Sequence, residues 1–137
     1  MQAGLTVQAA RENLAVLRDF ISARLRADGV PTSISDDVVQ AVDEAACNII
    51  THGYQSQPGS IRLELVCDGG TITARLTDQA PLFDPTQLPP AKKDRPPEER
   101  AAGGMGVLLM RAMVDSISYR VTDDGNNELT LQKRYQT

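Results

Sequence analysis

Ile61-Arg62-Leu63-Glu64-Leu65-Val66-Cys67 is followed by Asp68-Gly69-Gly70 and then by Thr71-Ile72-Thr73-Ala74-Arg75-Leu76-Thr77-Asp78. Ile61, Leu63, Leu65 and Cys67 fall on one face of an extended chain, with Arg62 and Glu64 opposite. Ile72, Ala74 and Leu76 fall on one face, with Thr71, Thr73, Arg75 and Thr77 opposite. A period of two is strand periodicity, and Asp-Gly-Gly between two such runs is hairpin chemistry. The parity carries on to Asp78, which lands on the apolar side.

Upstream the period changes to three and four. Val7, Ala10, Leu14, Leu17, Ile21 and Leu25 make one face of a helix expected over about 8–28, with Gly29 and Pro31 as its stop. Leu5-Thr6-Val7 is expected as a short edge strand before it. Ser33-Ile34-Ser35-Asp36 reads as a capping box for a second helix over about 34–53, with Asp36 and Asp37 in its first turn. Its apolar stripe is Val38, Val42, Ala45, Ala46 and Ile49. Glu44, Asn48 and His52 lie together on another face, one turn apart.

Downstream, six of the eight prolines fall between Pro81 and Pro97, mixed with Lys92, Lys93, Asp94, Arg95, Glu98, Glu99 and Arg100. Neither a long helix nor a central strand tolerates this. Residues from about 81 to 102 are expected as a lid. Gly103-Gly104-Met105-Gly106 leads into an apolar helix from Val107 to Val114. Ile117, Tyr119 and Val121 alternate, Asp123-Asp124-Gly125-Asn126 turns the chain, and Leu129 and Leu131 mark a last strand. The order gives an α+β fold. It is expected as a two-layer α/β sandwich, with helices on one face of a mostly antiparallel mixed sheet.

Length and composition set the frame. The 137 residues suit a single domain with its own core. Fourteen bases against eighteen acids leave no basic footprint for nucleic acid. Cys47 and Cys67 form neither a disulfide framework nor a metal motif. No run of 18 apolar residues occurs, and Met1-Gln-Ala-Gly-Leu-Thr6 lacks a basic stretch followed by an apolar one. A cytoplasmic protein with no membrane span is expected.

Four places have residues suited to chemistry. On the Glu44 face, the carbonyl oxygen of Asn48 is a hard ligand suited to Mg²⁺, and Glu44 can accept a proton. The same spacing also describes a solvated polar face. Asp78 is either a buried acceptor awaiting N–H donors or a cap for the turn at Pro81. The glycine run either lets a backbone approach phosphate at a helix N-terminus or serves as a hinge. Lys92, Lys93, Arg95 and Arg100 either meet a phosphate or are solvated.

Taken in order, these features resemble the Bergerat-type ATP-binding domain of the GHKL superfamily, and within it the anti-sigma-factor serine kinases. Glu44-Ala-Ala-Cys-Asn48-Ile-Ile-Thr-His52-Gly-Tyr54 is similar to that branch's N box. Asp78-Gln-Ala-Pro-Leu-Phe83-Asp84-Pro85 is similar to its first glycine box, and Gly103-Gly-Met-Gly106-Val107 onward to its second.

The resemblance implies ATP and ADP binding with Mg²⁺. Glu44 would be the general base toward a serine hydroxyl, and Asn48 would hold Mg²⁺. Asp78 would accept from the adenine amino group, and Thr130 would share a water with that pair. Gly104, Met105, Gly106 and Val107 would line the phosphates, with His52, Ala80 and Arg100 also at the nucleotide. It further implies a sigma factor and a STAS-type anti-anti-sigma protein as partners, allows a homodimer, and involves neither nucleic acid nor membrane. An alternative is a catalytically weak ATP-binding module that switches partners without phosphoryl transfer.

Ala80 departs from the pattern: the first glycine box usually has Gly there, where the backbone nears adenine. Histidine autophosphorylation is not expected, because the one histidine, His52, falls inside the N box.

Overall fold

The structure, a computed structural model, describes residues 1–87 and 104–136, with residues 104–107 described by their backbone alone. The expected lid residues Lys92, Lys93, Arg95 and Arg100 lie outside the described residues, as does Gly103. Among the described residues, five strands form one sheet in the order β1-β2-β3-β5-β4. These are β1 (Gln2–Gln8), β2 (Ser60–Asp68), β3 (Thr71–Asp78), β4 (Ser116–Val121) and β5 (Asn127–Arg134). Every neighbouring pair is antiparallel, so the sheet is not mixed. β1 is a full seven-residue strand because every one of its residues finds a partner on β2. The β2–β3 hairpin closes on Gly69 and Gly70, whose φ angles of 56° and 81° are those of a type I′ turn.

Among the described residues, the helices α1 (Leu14–Ala27), α2 (Thr32–Asn48) and α3 (Gly104–Met113) pack on one face of this sheet. The expected first helix is shorter than its periodicity, since Arg11–Asn13 form a 3₁₀ turn before it. Leu17, Ile21 and Leu25 of α1, together with Val38, Val42, Ala45 and Ala46 of α2, are buried against Ile61, Leu63, Leu65, Ile72, Ala74, Leu76, Leu129 and Leu131. On the opposite sheet face Arg62, Glu64 and Arg75 form a line of charges with Glu128.

The expected capping box does not form. Helix α2 starts earlier, after Pro31, whose carbonyl accepts from the N–H groups of Ile34 and Ser35 at 3.1 and 3.0 Å. Proline fixes an extended entry here, which places Ser33 and Asp36 inside the helix instead of at its cap. At its other end α2 runs into a wide π-helical turn, Ile49–Gly53, closed by the Tyr54 N–H on the Ile49 carbonyl at 2.8 Å. A widened turn changes the angular step between side chains. The regular α spacing assumed for residues 34–53 therefore stops at Asn48.

Candidate nucleotide site

Where α2, the ends of β3 and β5, and α3 meet, a cavity opens with about 450 Å³ of empty space, open solvent included. Its apolar walls include Ala45, Ile49, Met110 and Leu129, and its polar groups come from Asn48, Asp78, Tyr119 and Asn127.

Asp78 ends β3 paired with Ile61 on one side and Asn127 on the other. It is 6% exposed, as its strand parity requires. Its Oδ1 accepts from the Ala80 N–H at 3.0 Å and from Asn127 Nδ2 at 2.9 Å. The two sequence readings are thus both met: the carboxylate is buried and it caps the turn that follows. Burial pushes its pKa up, while the Asn127 and Ala80 donors pull it partly back.

Asn127 was not singled out from the sequence. Its Nδ2 also reaches the carbonyls of Ala80 and Pro81, at 3.1 and 3.3 Å, and its Oδ1 accepts from the Phe83 N–H and the Tyr119 hydroxyl. A backbone N–H on one end and carbonyl oxygens on the other fix the amide's orientation. The signal was in the sequence: Asn127 shares strand parity with Leu129 and Leu131, and so belongs to the buried face.

Thr130 is a correction. It lies three residues from Asn127, so strand alternation turns it to the opposite sheet face, paired with Arg75 and Ser118. Asn127 stands beside Asp78 in its place.

Asn48, at the end of α2, lines the cavity. Its Nδ2 is buried with no hydrogen-bond partner among the described residues. Glu44 stands one turn earlier on α2, half-buried, and is not part of the cavity wall. His52 is exposed and is not brought to the cavity; Gly53, next to it on the wide turn, lines the wall instead. Ala80 is buried but stays out of the wall, because its methyl is turned toward Gly53.

Gly104, Met105, Gly106 and Val107 form the first turn of α3, so the glycines lie inside the helix and not ahead of it. Free N–H groups at such an end favour anions. Met110, two turns on, is buried and lines the cavity. Arg100 lies outside the described residues.

This chain belongs to the histidine kinase-like ATPase domain family, which matches residues 7–133. Within that family it falls in the GHKL anti-sigma-kinase branch. It is 33% identical over 116 residues to the serine/threonine-protein kinase BtrW of Bordetella bronchiseptica, covering 84% of this chain and 75% of that one. It is 31% identical over 103 residues to an anti-sigma F factor of Clostridium botulinum, covering 72% and 70%. The crystal structure of the RsbU and RsbW domains of a Mycobacterium tuberculosis protein superposes with a TM-score of 0.69 at 20% identity. That match covers 98% of this chain and 32% of the other, and it carries the fold.

Proposed function

We propose that this chain is an ATP-dependent serine/threonine protein kinase that acts as an anti-sigma factor. The observation that carries the reading is one cavity in which a buried carboxylate, Asp78, faces the end of a helix bearing an unpaired buried amide, Asn48. In this reading Asp78 accepts the amino hydrogen of adenine, while Ile49, Met110 and Leu129 cover the ring faces. The N–H groups of the Gly104–Gly106 turn meet the phosphates, and Arg100 reaches the nucleotide from the lid.

Asn48 fits a role at magnesium. Among the described residues no group of three His, Cys, Asp or Glu side chains could hold an ion by itself. A site built from one amide oxygen and substrate phosphates is the kind Mg²⁺ accepts. When bound, Mg²⁺ neutralises charge between the phosphates. Glu44 takes the proton from a serine Oγ of the protein substrate as that oxygen bonds to the γ-phosphorus and the bond to the leaving ADP oxygen breaks.

The serine belongs to an anti-anti-sigma partner of the STAS type. Its phosphorylation prevents it from releasing a sigma factor held on another surface of this chain. The setting is the cytoplasm, and the family resemblance allows a homodimer.

The partner-switching module without phosphoryl transfer is the second reading. It is favoured by one observation, that Glu44 is not part of the cavity wall. Transfer of labelled phosphate from ATP to a serine-bearing anti-anti-sigma protein separates the two. Label should appear with the wild type and be lost with Glu44→Gln. ATP-induced thermal stabilisation without transfer would favour the second reading, and absence of stabilisation by Mg-ATP would sink both.

A further inference from the structure

Oδ1 of Asp78 holds two N–H donors, one from the Ala80 backbone and one from Asn127 Nδ2. Two donors fill the lone pairs of one carboxylate oxygen. Among the described residues no donor reaches Oδ2, so this oxygen alone is left for a ligand in the cavity that Asp78 and Asn127 both line.

We infer that Asn127 is a positioning residue that sets the choice between adenine and guanine nucleotides by occupying Oδ1 of Asp78. The inference rests on the ATP-binding reading above.

The chemistry lies in the edges of the two bases. Adenine offers one amino group beside a ring acceptor, and a single free carboxylate oxygen serves it. Guanine offers a ring N–H and an amino group side by side, a pair that a carboxylate satisfies with both oxygens. With Oδ1 filled, one guanine donor loses its partner on entering the cavity. An unmet donor in a buried site costs on the order of tenfold to a hundredfold in affinity.

Asn127 is well held for this task. It is 6% exposed, and its own carbonyl oxygen is tied to the Phe83 N–H and the Tyr119 hydroxyl. Removing its side chain leaves only the Ala80 N–H on Oδ1 and frees a lone pair for the second guanine donor.

The test is calorimetric binding of ATP and GTP, each with Mg²⁺, to the wild-type chain and to Asn127→Ala, Asn127→Ser and Tyr119→Phe. Circular dichroism reports the fold of each. The wild type should prefer ATP by on the order of tenfold or more. Asn127→Ala should bring the ratio down by on the order of tenfold, mainly by strengthening GTP. Asn127→Ser, a gentler change, provides the same readout if the alanine variant does not fold. Tyr119→Phe loosens the network without freeing Oδ1, so it should weaken both nucleotides by a similar factor and keep the ratio. Equal loss of ATP and GTP in the Asn127 variants would overturn the inference, as would a wild type that binds both alike; in either case the ATP-binding reading stands. A wild type that binds neither nucleotide would overturn both.

Discussion

Ala80 and Gly53 face each other so closely that a methyl added to Gly53 would come within 3.2 Å of the Ala80 Cβ. Gly53 sits in the wide turn that follows α2, and Ala80 in the turn that follows Asp78. The extra carbon at Ala80, unusual for a first glycine box, is thus housed by the missing carbon at Gly53 and does not enter the nucleotide cavity. Gly53→Ala should push the two turns apart by a few tenths of an ångström and destabilise by about 1 kcal/mol. Ala80→Gly alone should cost about 0.5–1 kcal/mol through chain entropy. The double variant should be more stable than the sum of the two losses, by about 0.5 kcal/mol or more. Thermal melts of the four proteins measure the cycle, and strict additivity would show that the two positions are uncoupled.

Asp78 predicts opposite pH trends for stability and for ligand binding. Burial raises its pKa in the folded state more than its two donors lower it. A raised folded pKa means that the favourable contribution is complete below the unfolded value and is lost as pH rises through the folded value. Accepting from adenine needs the carboxylate, so ATP binding should strengthen over the same rise. In Asp78→Asn both trends should disappear. Its melting temperature relative to wild type should climb as pH rises above about 4, the ordinary carboxylate value. Its stabilisation by Mg-ATP should be absent throughout. A pH-independent difference in melting temperature would show that burial of the charge carries no cost.

The element order was legible because the periods are clean. Ile61 to Cys67 alternate except at Val66, Ile72 to Leu76 alternate without exception, and Leu17, Ile21 and Leu25 keep one helical face. Asp78 followed from parity alone. What sequence could not give were departures from regular geometry and choices between register neighbours. The wide turn at Ile49 has no composition of its own, so regular α spacing carried His52 to a site that it does not reach. Thr130 and Asn127 are both polar residues on one strand. Only their odd separation, combined with the β3–β5 register, places Asn127 beside Asp78 and turns Thr130 away. The capping box failed for a local reason: Pro31 sets the helix entry before Ser33 can.

Tyr54 ties the wide turn to the sheet. Its hydroxyl donates to the Ser60 carbonyl at 2.7 Å and accepts from the Gln79 N–H at 2.8 Å, next to Asp78. Tyr54→Phe leaves both groups without their partner and should destabilise by about 1–2 kcal/mol. That corresponds to a fall of roughly 3–8 °C in melting temperature for a domain of this size. Gly59→Ala should cost more, since its Cβ would lie 2.2 Å from the Tyr54 ring, closer than any side chain packs. A smaller loss in Gly59→Ala than in Tyr54→Phe would mean that the ring moves aside freely.

Asn48 sets stability against function. Its Nδ2 is buried without a partner among the described residues, and an unmet buried donor costs about 1–3 kcal/mol. Asn48→Leu keeps the γ-branched shape and the number of side-chain heavy atoms, and it removes the polar group beside Ile49 and Ala45, which already line an apolar wall. Without nucleotide the variant should melt higher than wild type, by an amount corresponding to about 1 kcal/mol. With saturating Mg-ATP the order should reverse, because the wild type gains the free energy of binding and the variant has lost the amide oxygen proposed to hold the metal. Replacing Mg²⁺ by a chelator should restore the variant's lead. A variant that melts lower than wild type without nucleotide would show that the Nδ2 group is satisfied in the free protein.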